Sequence, residues 1–356
     1  MEPGGPENCI YRLSSGVAIF GASQRLGIRS SNTFMSADSD LFLFKMLKGG
    51  VDKRTRDMMG MAIAHTLSAK LALPPIAPSA AEAEIVRQLD LTGFAAVAPI
   101  FSPADLAEIE AYFADKPISF SDSDLDTTGF RGLLADNPGN LRFGHWDQDV
   151  VSGCPQFCRA AHAPSLLRIA EAYLGAPPTV STLTDWWSFP STAMRGGMQN
   201  FHHDRDDFRL LKVFTYLTDA TETTGPHEFI QETHSFNALM SFMSRGAALT
   251  GQQQKEFVQW MEQHRKADDD VHKYFPKENI LTITGNRGAT FFEDTRGLHR
   301  GLPPVTGPRL AFEICYTMTP KLSSIYKPIP RACAADPTYA GTTRATRLFY
   351  SDLRHE

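Results

Sequence analysis

Gln199-Asn200-Phe201-His202-His203-Asp204-Arg205-Asp206-Asp207 places two imidazoles and three carboxylates in nine residues. His202 and Asp204 have the spacing His-x-Asp. In an extended strand, side chains two apart point to one face, so these two converge while His203 points the other way. A neutral imidazole and a carboxylate on one side of a strand end make two thirds of a facial metal site. A second imidazole, brought in from far along the chain, would complete it. The candidate is His299, in Asp294-Thr295-Arg296-Gly297-Leu298-His299-Arg300-Gly301. Arg309 follows after a turn rich in proline and glycine. It heads the mostly apolar run Leu310-Ala311-Phe312-Glu313-Ile314-Cys315-Tyr316. An arginine facing into a barrel is costly unless an anion satisfies it, and a carboxylate bound bidentately is its natural partner. Facing outward, it would be an ordinary solvated charge.

Outward from this stretch, the second half of the chain reads as short strands. The runs Val180–Leu183, Trp186–Phe189, Asn200–Asp204, Leu211–Leu217, His227–Ile230, Ile280–Ile283, Ala289–Phe292 and Leu310–Tyr316 are separated by turn signals. That pattern suits a sandwich or jelly roll. Between about 236 and 278 it is interrupted by a helical insertion, in which Gln252–Arg265 is amphipathic. The first half is mostly helical. Asp40–Leu47, Lys53–Leu73, Ala80–Leu91 and Ala160–Leu174 read as helices. Ser102-Pro103 opens another that runs to about Ala114, with a good cap and a proline at the first helical position. Leu73–Ser79 reads as a linker and Phe120–Asn140 as a long polar loop. The expected organisation is an N-terminal, partly helical extension over 1–80, a barrel domain over 81–325 and a tail over 326–356.

Composition sets the class. The chain has 356 residues, 42% hydrophobic and 21% charged, which allows a sizeable core. A net charge of −5 argues against a general binder of nucleic acid or anionic membrane. The five cysteines are odd in number and irregular in spacing, and Cys154 and Cys158 read as buried or idle thiols and not as a zinc site. No basic start leads into a long apolar run, and no stretch approaches a membrane span. The expectation is a cytoplasmic protein.

These residues resemble the phytanoyl-CoA dioxygenase family of iron(II)- and 2-oxoglutarate-dependent oxygenases. Leu91–Val97 with Phe101–Leu106 resembles the family's opening strand and helix, and Ile169–Gly175 the helix before its barrel. Phe201-His202-His203-Asp204 resembles its aromatic-His-x-Asp. Thr224-Gly225-Pro226 with Thr233-His234 resembles its mid-barrel turn, and Gly288 to Arg309 its closing strands. The resemblance covers about 89–325. It implies a mainly β fold with flanking helices, whose core is a double-stranded β-helix (a jelly-roll, cupin-like barrel). It implies iron(II) on His202, Asp204 and His299, and 2-oxoglutarate as co-substrate with its distal carboxylate on Arg309. A small organic molecule would be hydroxylated or otherwise oxidised by dioxygen, with release of succinate and CO2. By the same resemblance, the carboxylate of Asp204 favours hydroxylation or another oxidative outcome over halogenation. The chain departs from the family in two places. Gln231-Glu232-Thr233-His234 replaces its Pro-Gly-Ser-His, and Gly301 stands where a serine or threonine is common.

Duller roles suit most of the other candidates. The chain has 11 histidines, so most are not ligands. His203 suits a supporting or surface role, and His227, His264, His272 and His355 structural or exposed ones. His234 closes a turn or lines the pocket. Trp187 and Arg195 belong to core and loop, or to a mobile substrate loop. His145 could line the mouth, and Arg205 could hold an acidic substrate or pair with Asp206 or Asp207. Two other functions remain open: a non-catalytic jelly roll that binds a metabolite, and a cupin-like metalloenzyme that uses no 2-oxoglutarate.

Overall fold

The computed structural model describes residues 51–71, 77–122, 130–137, 139, 141–191, 196–246, 249–319 and 347–348. The expected helix Asp40–Leu47, most of the Leu73–Ser79 linker, Arg195 and most of the tail lie outside them. All described residues belong to one compact unit.

In chain order, helix α1 (Lys53–Leu71) precedes α2 (Ala80–Thr92), β1 (Phe94–Val97) and α3 (Pro103–Phe113). Helix α2 starts at a capping box in which Ser79 and Glu82 exchange side-chain and main-chain bonds. It ends at Gly93, whose φ of +82° is the left-handed turn glycine adopts without cost. Helix α3 repeats the box with Ser102 and Asp105, and Pro103 occupies its first turn as the sequence indicates. There follow β2 (Ile118–Ser121), β3 (Arg131–Gly132), β4 (Phe143–His145), α4 (Gln148–Ser152), α5 (Pro155–Ala161) and α6 (Pro164–Leu174). The single helix expected over Ala160–Leu174 is therefore two. Pro164 cannot donate a main-chain bond, so α5 stops and α6 restarts with the proline in its first turn.

The barrel strands are β5 (Thr179–Ser188), β6 (Phe201–His202), β7 (Leu210–Tyr216) and β8 (His227–Ile230). After the insertion come β10 (Ile280–Ile283), β11 (Thr290–Glu293), β12 (His299–Gly301) and β13 (Arg309–Thr317). Two runs expected as separate strands, Val180–Leu183 and Trp186–Phe189, are one strand, β5. The insertion consists of α7 (Phe236–Arg245), α8 (Gly251–Glu262), the short strand β9 (Arg265–Lys266) and α9 (Asp268–Tyr274). Strand β14 (Arg347–Leu348) pairs in parallel with β5.

The larger sheet has the order β1-β11-β7-β13-β5-β4-β2-β3, and the smaller β10-β8-β12-β6-β9. The eight barrel strands divide as β11-β7-β13-β5 against β10-β8-β12-β6. Their pairings are antiparallel, for example Ile314 with both Leu183 and Val213. This is the strand order of a double-stranded β-helix. The architecture is mainly β, with flanking helices on the larger sheet and a helical insertion on the smaller.

Alternation along the strands sorts the side chains. Leu183, Trp187, Phe312 and Ile314 join the helices in the main apolar core, where the rings of Phe157 and Phe312 stack at 3.7 Å. Burying each such ring contributes roughly 1.5–3 kcal/mol. Trp186, Phe214, Phe229, Ile283, Phe291 and Ala311 pack together between the sheets. A third cluster, including Phe257, Trp260 and Phe275, holds the insertion against Phe201 and Ile230. Among the described residues, no helix is long and apolar enough to cross a membrane. Cys154 and Cys315 are buried, as read for Cys154, whereas Cys158 is disulfide-bonded, which corrects the reading of it as a thiol.

Candidate metal centre

Three side chains from two distant stretches meet at one end of the smaller sheet. His202 and His299 are paired across β6 and β12, which sets their rings 4.3 Å apart. Asp204 lies beyond the end of β6, two residues short of the strand expected there. Its main chain is held instead by a bond from its N–H to the carbonyl of Thr295, at 2.7 Å. Its Oδ1 lies 4.0 Å from Nε2 of His202 and its Oδ2 lies 3.8 Å from Nε2 of His299. Ligand atoms of the three residues all fall within 4.8 Å of one another.

The imidazoles are oriented from behind. Nδ1 of His202 faces the carbonyl of Asn200 at 2.9 Å, and Nδ1 of His299 faces that of Gly297 at 3.0 Å. A carbonyl only accepts, so each Nδ1 carries the proton and each Nε2 presents a lone pair toward Asp204. Burial holds the pKa of His202 well below its usual value and lowers that of His299. Both rings are thus neutral in neutral solution, the form that binds a metal. Burial alone would raise the pKa of Asp204, but the ammonium of Lys212 together with the imidazoles of His299 and His202 outweighs it and holds the carboxyl well below the usual range.

Lys212 is itself unusual. It projects from β7 between the sheets, with Nζ 2.8 Å from Asp204, 3.1 Å from Glu313 and 3.8 Å from Asp206. Beside it, Glu293 is fully buried, and burial pushes its pKa up to about 8. Nε2 of His227 lies 3.0 Å from that carboxyl, and the His227 ring stacks 5.5 Å from His299. Burial, reinforced by Arg309, brings the pKa of His227 down to about 3.

Arg309 faces inward and is 2% exposed. It donates to the carbonyl of Gly225 and to Oγ of Ser188, the latter at 3.1 Å. Its Nε–H has no partner among the described residues, and no carboxylate there forms an ion pair with it. A buried guanidinium in that condition fits an incoming anion. Gly301 has a spatial reason as well. A Cβ there would come within 3.1 Å of the Arg309 Nη2, so the absent side chain leaves room for the guanidinium.

The other candidates are spread around the barrel. Trp187 turns to the helical side, packed 6.4 Å from Trp146 and 5.9 Å from Phe189, while Trp186 faces between the sheets. His145 is half-buried on β4, with Nδ1 3.0 Å from the carbonyl of Asp185. His234 packs against Gly93, where an added Cβ would meet its ring at 2.8 Å. Arg205 turns toward the insertion, donating to the carbonyl of Glu262 at 2.9 Å and to Nε2 of His203 at 3.3 Å. Neither His145 nor His234 joins the ligand cluster of His202, Asp204 and His299. Lys212, Glu293, Glu313 and His227 were not foreseen. The signal for two of them, Lys212 and Glu313, was in the sequence: a charged residue midway along an alternating or apolar run, as in Leu210-Leu211-Lys212-Val213-Phe214.

No protein-family model matches the chain, and no curated protein matches it. Solved structures do. The non-heme alpha ketoglutarate dependent epimerase SnoN from nogalamycin biosynthesis is 15% identical with a TM-score of 0.43, over 67% of this chain and 83% of that one. AviO1 from Streptomyces viridochromogenes Tue57 is 15% identical with a TM-score of 0.42, over 70% of this chain and 99% of that one. HygX from Streptomyces hygroscopicus, solved with nickel and 2-oxoglutarate bound, is 15% identical with a TM-score of 0.42, over 68% and 89%. At such identity and TM-score, the likeness carries no inference about what this chain binds.

Proposed function

We propose that this chain is an iron(II)- and 2-oxoglutarate-dependent oxygenase of the phytanoyl-CoA dioxygenase type, oxidising a small organic molecule. The observation that carries this is the pairing of two features inside one jelly roll. His202, Asp204 and His299 converge with neutral Nε2 atoms and an ionised carboxylate. On the same inner surface, Arg309 is a buried cation without a counter-ion among the described residues. The donor set fits a divalent ion with open positions, and the guanidinium fits a dicarboxylate that reaches it.

His202, Asp204 and His299 would hold iron(II). The ion would supply activation of dioxygen, coupled to decarboxylation of 2-oxoglutarate to succinate and CO2. The chain's own residues orient and exclude. The carbonyls of Asn200 and Gly297 fix both imidazole tautomers. Arg309 would anchor the far carboxylate, and Trp186, Phe214 and Phe291 wall the space between the sheets with apolar surface, which keeps water out.

Anaerobic addition of iron(II) and 2-oxoglutarate tests this. A weak visible charge-transfer band is expected, and Arg309→Ala should raise the 2-oxoglutarate dissociation constant about 10- to 100-fold through loss of a charge-assisted pair. A folded protein that stays spectrally silent overturns it. A jelly roll that binds a metabolite without metal is the competing function, and the ammonium of Lys212 on Asp204 favours it. Succinate release with candidate substrates separates the two.

A further inference from the structure

Helix α1 lies before the barrel in sequence, yet one of its faces touches both segments that present the candidate ligands. Lys53, Arg56 and Asp57 are spaced to share that face. Arg56 is 5% exposed. Its Nη1–H donates to the main-chain carbonyl of Asp204 at 2.7 Å. Its Nε–H and Nη2–H both donate to the carbonyl of Asp207, at 3.1 and 2.5 Å. One planar guanidinium therefore spans the whole turn that follows His202. Asp207 extends the tie, since its carboxylate accepts the main-chain N–H groups of Met318 and Thr319 at 2.8 and 2.9 Å.

The segment before His299 is gripped from the same helix. Lys53 Nζ donates to the carbonyl of Arg296 at 3.0 Å and to that of His234 at 3.3 Å. Asp57 accepts from Arg296 Nη1 at 2.7 Å through one oxygen and from the Phe236 N–H at 2.7 Å through the other. Arg296 also binds Asp294, which accepts the hydroxyl of Tyr173 at 2.5 Å. The stretch from His203 to Arg209 forms no strand, so the sheet ladder does not fix Asp204. Besides the bond to Thr295, the contacts from α1 are what hold its main chain.

We propose that Arg56 is a positioning residue of the metal centre: α1 clasps the turn behind Asp204 and the turn before His299, and sets the spacing of carboxylate and imidazole before an ion arrives. This rests on the assignment of His202, Asp204 and His299 as metal ligands. Groups that orient ligands from behind govern affinity strongly, because a loosened carboxylate must be reordered when the ion binds.

The test is titration of the metal-free full chain with cobalt(II), read from the visible d–d absorption, with thermal unfolding measured alongside. Arg56→Met is compared with Arg168→Met. Arg168 pairs with Glu82 at 2.7 Å and touches neither ligand segment, so its loss reports on stability alone. Arg56→Met is expected to weaken cobalt binding about 10-fold or more and to alter the band shape. Arg168→Met is expected to lower the melting temperature and leave the dissociation constant unchanged. Arg56→Lys, which keeps the charge but cannot span both carbonyls, should fall between wild type and Arg56→Met. Wild-type affinity in Arg56→Met, or equal weakening in Arg168→Met, overturns the proposal. If Arg56→Met does not fold, Arg56→Lys and Lys53→Met decide it: weakened cobalt binding supports the clasp and unchanged binding overturns it. A wild-type chain that binds no cobalt overturns the metal assignment itself, and the clasp with it.

Discussion

Asp185 carries a carboxyl group into the layer between the larger sheet and the helices, one residue away from the inward-facing Trp186 and two from Trp187. It is 1% exposed, and no cation among the described residues pairs with it. Burial pushes its pKa well above the ordinary carboxylate value, against weaker pulls from the main-chain N–H of Trp146 and its own. The consequence for stability has a definite sign. The neutral acid is the folded form, so its contribution is intact below the usual carboxyl pKa of about 3.9. It is lost as pH rises from there through the elevated folded value, because only the unfolded chain ionises freely. Asp185→Asn removes the titration. The melting-temperature difference between variant and wild type should move in the variant's favour as pH rises from about 5 to about 8. Parallel profiles would show that the carboxyl has a partner in solution. Lys212 presents the opposite case, a buried charge whose partners are Asp204 and Glu313.

At the scale of the element, Gly93 shows how a helix end packs against the barrel. It closes α2 in the left-handed conformation, and an added Cβ would meet the His234 ring and the Phe229 ring at 2.8 Å. Gly93→Ala should therefore cost roughly 1–3 kcal/mol from backbone strain and crowding. The check is the midpoint of urea unfolding at unchanged slope. Other elements were legible from local rules. The cap at Ser102 and the strands β7, β8, β10 and β13 all follow from residue type and alternation. What local rules missed was set by distant partners. Strand β6 is only two residues long because Asp204 bonds to Thr295 rather than to a ladder. Arg265-Lys266 is a strand only because β6 lies beside it. Helix α1 was readable as a helix, but nothing in its own periodicity pointed Arg56 at Asp204.

For the whole molecule, the three candidate ligands come from two stretches nearly a hundred residues apart, so an ion bound there ties the smaller sheet together only in the folded state. Such an ion must stabilise by mass action. At free iron(II) or manganese(II) about 100-fold above the dissociation constant, the gain should be about 2.7 kcal/mol, read as a higher melting temperature than in chelator. His202→Ala should abolish the difference while the variant remains folded. The strands and the convergence of His202 with Asp204 could be anticipated from alternation and the His-x-Asp spacing, which are local, whereas the jelly-roll order and the arrival of His299 were expected from the family resemblance. The depth of charge around Lys212 could not be anticipated, since it depends on which strands face one another. Strand β9 covers the outer edge of β6, the strand that carries His202. A trimmed barrel with the 236–278 region spliced out would bare that main chain, and unpaired peptide groups on an open rim recruit other copies. Such a minimal protein should self-associate, and the excursion that interrupts the barrel thus serves as its guard against aggregation.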